Sequence, residues 1–246
     1  MEQKPMKTKV CLTIISAALA FAACLPTASA GLVAHWPGDG NTDEQVAGRN
    51  ASLNNGATFG PGFIGQAFSL DGNDDFVSVA DDAAWTLGTN PFTISLFVKF
   101  DAVRNGSSGQ LPNVFIGHDN GSGTTDKWIF YATTDALYFH TNGNGSVFLT
   151  PGANFNPVVD EWTHVAITRS GNVFTFYADG GSLGTANSSV NIPDPTTSLT
   201  FGQAEGLGYI DGSLDDVRIY DEALDGNAIA ALANIKGYYD YGIFQA

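Results

Sequence analysis

Residues 92–100 read Phe-Thr-Ile-Ser-Leu-Phe-Val-Lys-Phe, and this stretch restricts the fold more than any other. Phe92, Ile94, Leu96, Val98 and Phe100 recur at every second position, which in an extended chain puts all five on one face. Such a face has to be buried against a second layer. Thr93, Ser95, Phe97 and Lys99 take the opposite face, so Phe97 is expected either to be covered locally or to join a binding surface.

The rest of the chain repeats this theme in shorter form. Apolar or alternating runs at 32–36, 67–70, 76–79, 114–117, 128–131, 137–140, 162–169, 173–178, 199–202 and 214–220 are cut by Gly, Asn, Asp and Pro, as antiparallel strands joined by tight turns are. Eleven or so strands imply two packed sheets, an all-β antiparallel β-sandwich. Ser170-Gly171-Asn172 offers a glycine where positive φ costs little, which makes a hairpin of its neighbours. One short C-terminal helix is expected over 226–233, capped by Asp225, with Ile229 and Leu232 on one face. Residues 237–246 form a short aromatic tail.

The start of the chain follows different rules. Lys4, Lys7 and Lys9 precede a nearly unbroken apolar run from Cys11 to Cys24, followed by Thr27-Ala28-Ser29-Ala30. The run is too short for a stable membrane anchor and reads as an export signal cleaved after Ala30, with secretion as the destination. A lipoprotein signal at Cys24 is the rival, weakened by Phe21 where an aliphatic residue is usual. Nothing later supplies eighteen consecutive apolar residues, so no transmembrane segment is expected. Both cysteines lie in the leader, so the domain from residue 31 onward rests on packing alone.

Removing Lys4, Lys7, Lys9 and Glu2 leaves seven basic against twenty-four acidic side chains. Phosphate backbones need clustered Lys and Arg, so nucleic acid is not an expected partner. Short carboxylates on Gly/Asn-rich loops suit a solvated surface or calcium.

The segment Glu161-Trp162-Thr163-His164-Val165-Ala166-Ile167-Thr168-Arg169, its partner running to Asp179-Gly180, and the return Gly184-Thr185-Ala186 resemble the central hairpin of the laminin G-like, concanavalin A-like lectin/glucanase family. Residues 32–36, 65–77 and 212–220 agree with that family in order and spacing. The resemblance covers nearly all of residues 31–236 and implies a jelly-roll sandwich; Phe97 stands where the family often has Trp. The family includes lectins, adhesion modules, accessory domains of hydrolases and glucanases, so the resemblance leaves function to the site itself.

Glycoside hydrolysis needs two carboxylates held roughly 5–9 Å apart. Only Glu44, Glu161, Glu205 and Glu222 follow the leader, widely spaced, and the family's Glu-x-Asp-x-(x)-Glu strand is absent. Asp74-Asp75 and Asp215-Asp216 are adjacent pairs whose members should point to opposite faces of a strand. No Gly-x-Ser-x-Gly elbow occurs, and His35, His118, His140 and His164 lack zinc-like spacing, so each is expected to be a hydrogen-bonded structural residue. Catalysis is therefore not expected.

Calcium fits better. Residues 71–75, with Asp71 and Asp75, and residues 39–43, with Asp39 and Asn41, are oxygen-rich loops; by the resemblance, Asp216 or its neighbour Asp215 completes a site with Asp39. The competing explanation is Asx turns without metal. A sugar site wants an aromatic platform beside polar groups, and Trp85, Trp128, Tyr138 and Tyr209, with Asn142 and its neighbours in loops 117–126 and 140–146, are the candidates. Trp36, Trp128 and Trp162 fit the core better. The expected product is a secreted, non-catalytic module binding a glycan or polysaccharide, with possible structural calcium. The alternative is a surface adhesion or matrix protein with a protein partner; a hydrolase or lyase of unfamiliar type comes third.

Overall fold

The structure, a computed structural model, describes residues 31–106, 112–143, 145–152 and 154–235. The expected leader and the tail 237–246 lie outside the described residues. In chain order the strands are β1 (Leu32–Trp36), β2 (Ser52–Asn54), β3 (Thr58–Pro61), β4 (Gln66–Asp71), β5 (Phe76–Val79), β6 (Phe92–Ala102), β7 (Asn113–Asp119) and β8 (Lys127–Ala132). They continue as β9 (Leu137–Asn142), β10 (Ser146–Leu149), β11 (Trp162–Ser170), β12 (Val173–Ala178), β13 (Gly181–Asn187), β14 (Leu199–Phe201) and β15 (Asp211–Tyr220), then helix α1 (Gly226–Ala233).

Two antiparallel sheets result. The first runs β13-β12-β11-β6-β15-β4-β3 with β1 also paired to β15, and the second runs β10-β9-β8-β7-β14-β5-β2. The alternating strand of the sequence, β6, lies between β11 and β15. Phe92, Ile94, Leu96, Val98 and Phe100 enter the core between the sheets, where they meet Phe115, Trp128, Phe130 and Phe139 of the second sheet. Four strands escape the sequence reading, β2, β3, β10 and β13. The first two are short, and β3 contains Gly60 and Pro61, tolerable at the sheet edge where it sits. Along β13 no residue is buried, so it carries no apolar period.

The outer face of the first sheet is covered over its centre. Phe63 stacks on Phe97 with ring centroids 4.0 Å apart, and His164 meets Phe97 edge-on at 5.0 Å. Ile229 of α1 packs on Ala166 and Tyr177, held there by Asp225, whose side chain accepts the Ala228 N–H at 2.8 Å. The Thr93 hydroxyl donates to the Glu222 carbonyl and accepts the Leu224 N–H. Phe97 is thus covered locally rather than presented to a ligand. Trp162, expected in the core, is half-buried and lies edge-on to Phe63.

Adjacent carboxylates on β15 break the two-residue rule. Leu214 and Val217 both enter the core, with a bulge between them and Asp216 in the left-handed region at φ 53°. The extra residue sends Asp215 and Asp216 to the same side of the sheet, which corrects the expectation of opposite faces. Asp215 accepts the Ile64 N–H at 3.0 Å, whereas Asp216 pairs with His35 at 2.6 Å and Arg218 at 2.9 Å.

Candidate ligand-binding face

On the outer face of the second sheet Lys127, Ile129, Tyr131, His140 and Asn142 are buried, while Tyr138 is half-buried and Ser146 and Phe148 are exposed. The pairing of β8, β9 and β10 fixes its layout. Tyr131 lies opposite Tyr138; Ile129 lies opposite His140, which lies opposite Phe148; Lys127 lies opposite Asn142, which lies opposite Ser146. Trp128, Phe130 and Phe139, one residue out of phase, fill the core. Tyr131 and Tyr138 stack at 5.1 Å with an interplanar angle of 14°. Phe148 stacks on His140 at 4.1 Å and 10°, and remains 52% exposed.

Two loops border this face. The first, between β7 and β8, is fastened by Lys127, whose ammonium donates to the Gly121 carbonyl at 2.9 Å and forms an ion pair with Glu205. Asn142 Nδ2 donates to the Gly123 carbonyl at 3.2 Å, and Thr125 donates its hydroxyl to the Gly121 carbonyl. The second loop, between β14 and β15, brings Glu205 to Lys127 and its Gly208 carbonyl to the Val114 N–H. Asp119 joins them, accepting the Gly121 and Glu205 N–H groups. Burial raises the Asp119 pKa and lowers that of Lys127, the mutual attraction opposing both shifts.

The buried polar atoms here are not all satisfied. Asn142 Oδ1 and His140 Nδ1 have no hydrogen-bond partner, while His140 Nε2 lies 2.9 Å from the Ser146 hydroxyl. Burial, with Lys127 adding to it, pulls the His140 pKa down to about 4, so the imidazole is neutral at pH 7. Burial likewise pushes the Tyr131 phenol up, and Tyr138 adds to it.

The structure brings Tyr138 and Asn142 of the expected sugar site onto one face, but Asn142 is buried with its amide tied to the Gly123 carbonyl, so of the two only Tyr138 is open to a ligand. Tyr209 is half-buried on the bordering loop beside Gly208, its carbonyl accepting from Arg104 at 3.1 Å. Trp85 does not join them and is corrected: it is fully buried, packed 6.1 Å from Trp36 in the core, and offers no platform. Phe148 was missed as a surface residue, whereas His140 is a buried, hydrogen-bonded histidine as expected. The signal was the alternation Ser146-Val147-Phe148-Leu149, too short to stand out beside a glycine-rich turn.

The expected calcium ligands divide. Asp71, Asp74 and Asp75 each offer an oxygen within 4.8 Å of the others. Asp75 also accepts the Asp71 and Gly56 N–H groups, and Asp71 accepts Asn73 N–H and Nδ2 as an Asx turn does. Those hydrogen bonds from Asn73 are the leading cause that lowers the Asp71 pKa. Asp39 accepts the Gln66 N–H, and Asn41 accepts the Asp43 N–H in another Asx turn. Asp216, expected to join Asp39, is instead committed to Arg218 and His35, so that part of the expectation is corrected.

Comparison with known proteins agrees with this architecture. No curated protein sequence matches the chain. Domain 4 of AbnA, a GH43 extracellular arabinanase from Geobacillus stearothermophilus solved in complex with arabinotriose, superposes with a TM-score of 0.67 at 16% identity, covering 82% of this chain and 98% of that one. The binding domain of Paraclostridial Mosquitocidal Protein 1 gives 0.66 at 17%, covering 84% of this chain and 52% of that one. A chain of botulinum neurotoxin type C, whose cell entry depends on two ganglioside molecules, gives 0.61 at 18%, covering 83% and 51%. This chain spans about half the length of the two toxin chains. The family model described as the Concanavalin A-like lectin/glucanases superfamily, a laminin G type, matches residues 71–230, well over half of the sequence. The chain belongs to the Concanavalin A-like lectin/glucanases superfamily.

Proposed function

We propose that this chain is an exported, non-catalytic carbohydrate-binding module whose ligand lies across β8, β9 and β10. The observation that carries the reading is the exposed Phe148 ring, stacked on His140 with the half-buried Tyr138 and the exposed Ser146 on the same sheet face. A pyranose presents an apolar face to a ring and a polar rim to such neighbours. The similarity to an arabinanase domain complexed with arabinotriose and to a ganglioside-dependent toxin supports a glycan as ligand. The carboxylates that the β15 bulge brings to one side, Asp215 and Asp216, are both buried, which disfavours their reaching a sugar.

Export rests on the leader at 1–30; among the described residues no helix is long and apolar enough to cross a membrane. Calcium belongs to this reading as a structural ion at the Asp71–Asp75 turn. Three carboxylates there supply part of the six to eight oxygens it needs, leaving carbonyls or water for the rest. The test is a glycan array probed with the full-length export product, with hydrolysis followed in parallel. Binding without product release is the expected result; glycan silence with self-association would move the adhesive reading ahead, and product release would establish an enzyme. Mass spectrometry of the secreted chain should find Gly31 at its start.

A further inference from the structure

We propose that the Phe148–His140 stack is the sugar platform of this face and that the face selects neutral oligosaccharides over sialylated or uronic ones. The inference rests on the carbohydrate-binding reading and specifies its ligand class.

The first argument concerns where an apolar ring is available. Trp36, Trp85 and Trp128 are fully buried, and Tyr131 is nearly so. Phe148 is 52% exposed, and its inner face is held flat by His140, itself tied to Ser146 at 2.9 Å. A ring fixed in this way loses little side-chain freedom when a sugar stacks on it. An outward-facing Phe on a strand that otherwise alternates has no packing role on its free side.

The second argument is about charge. An anionic sugar needs a cation that is not already spent. Every Lys and Arg among the described residues is held. Arg49 pairs with Asp82, Lys99 with Asp101, Lys127 with Glu205 and Arg218 with Asp216. Arg104 donates to the Gly72 and Tyr209 carbonyls, and Arg169 to the Gly88, Gly171 and Val190 carbonyls. Bordering the face, the two carboxylates Asp119 and Glu205 stand against the single ammonium of Lys127, which leaves an acidic excess. His140 is neutral at pH 7 and its stacked position offers a ring rather than a charge. A carboxylated sugar approaching this face meets an excess of like charge with no free cation to pair with, whereas the hydroxyl groups of a neutral sugar need only the exposed Ser146 and the half-buried Tyr138 beside the platform.

The experiment is isothermal titration of the full chain, at low salt and pH 7, with neutral arabino-, xylo-, gluco- and galacto-oligosaccharides and with oligogalacturonate and sialyllactose. At least one neutral series is expected to bind and the acidic ones to bind at least tenfold more weakly or not at all. Phe148→Ala and Phe148→Leu are both expected to weaken binding tenfold or more with an unchanged melting temperature, because the exposed ring contributes little to the fold. Acidic glycans binding as tightly through Phe148 would overturn the neutral class while leaving a carbohydrate-binding module. Neutral binding untouched by either variant would overturn the platform. Silence across both panels would overturn this inference together with the carbohydrate reading.

Discussion

Asp215 and Asp216 are neighbours in sequence with opposite protonation. Burial above all, and then the nearby charges of Asp216 and Asp39, push the Asp215 pKa up to about 8. Burial also works against Asp216, but Arg218 and His35 outweigh it and hold that carboxyl low. The pH consequence has a definite sign. Asp215 binds its proton more tightly when folded, so its contribution to stability is fully present below the ordinary carboxylate value of 3.8 and is lost as pH rises to about 8. Asp215→Asn keeps an acceptor for the Ile64 N–H but cannot ionise. Melting curves of the two proteins should coincide near pH 3.5 and separate towards pH 8, where the Asn variant is the more stable; parallel curves throughout would contradict this. Lys127 is the other decisive residue. It is fully buried, and its removal leaves the Glu205 and Asp119 carboxylates without the cation that attracts both. Lys127→Met should cost roughly 3–5 kcal/mol in denaturant unfolding, the usual penalty for stranding a buried partner.

At the level of elements, the register of β15 between β6 and β4 decides most of the first sheet. The second residue of β15 is Gly212, at φ 150°, where a Cβ would collide with the Lys99 carbonyl of β6. Gly212→Ala is expected to cost roughly 3 kcal/mol, from backbone strain together with a disturbed strand pair, and to show as a lower denaturant midpoint with the slope unchanged. That glycine was legible only as part of a family-like segment; the neighbour that makes it necessary comes from more than a hundred residues away. Strands β1, β5 and β12 and helix α1 fall where alternation, turn residues and the Asp225 cap place them, because those signals act within a few residues. Strand β13 has no such signal, since its identity comes from pairing with β12 at the sheet edge.

The described residues hold no cysteine, so their stability depends on the shared core and on the loops that close its rims. Calcium bound at residues 71–75 in the native state alone stabilises the fold by an amount fixed by its concentration over Kd, about 2.7 kcal/mol at a hundredfold excess, and so raises the melting temperature. The expected outcome is a rise with calcium, reversed by EDTA and absent in Asp74→Asn, whose side chain is exposed and so leaves the fold intact. Identical melts in calcium and EDTA would remove the ion from this account. The sequence by itself determined the sandwich, the central strand β6, the hairpin at Gly171 and the capped helix, because hydrophobic period and turn chemistry are local properties. It also brought Tyr138 and Asn142 into consideration. Only the tertiary structure decided that Trp85 is core, that a bulge places Asp215 and Asp216 on one side, that Asp216 serves an ion pair, and that Phe148 stands exposed on His140. Each of those depends on which strand lies alongside which and on what covers each sheet, and neither follows from the order of residues along a single strand.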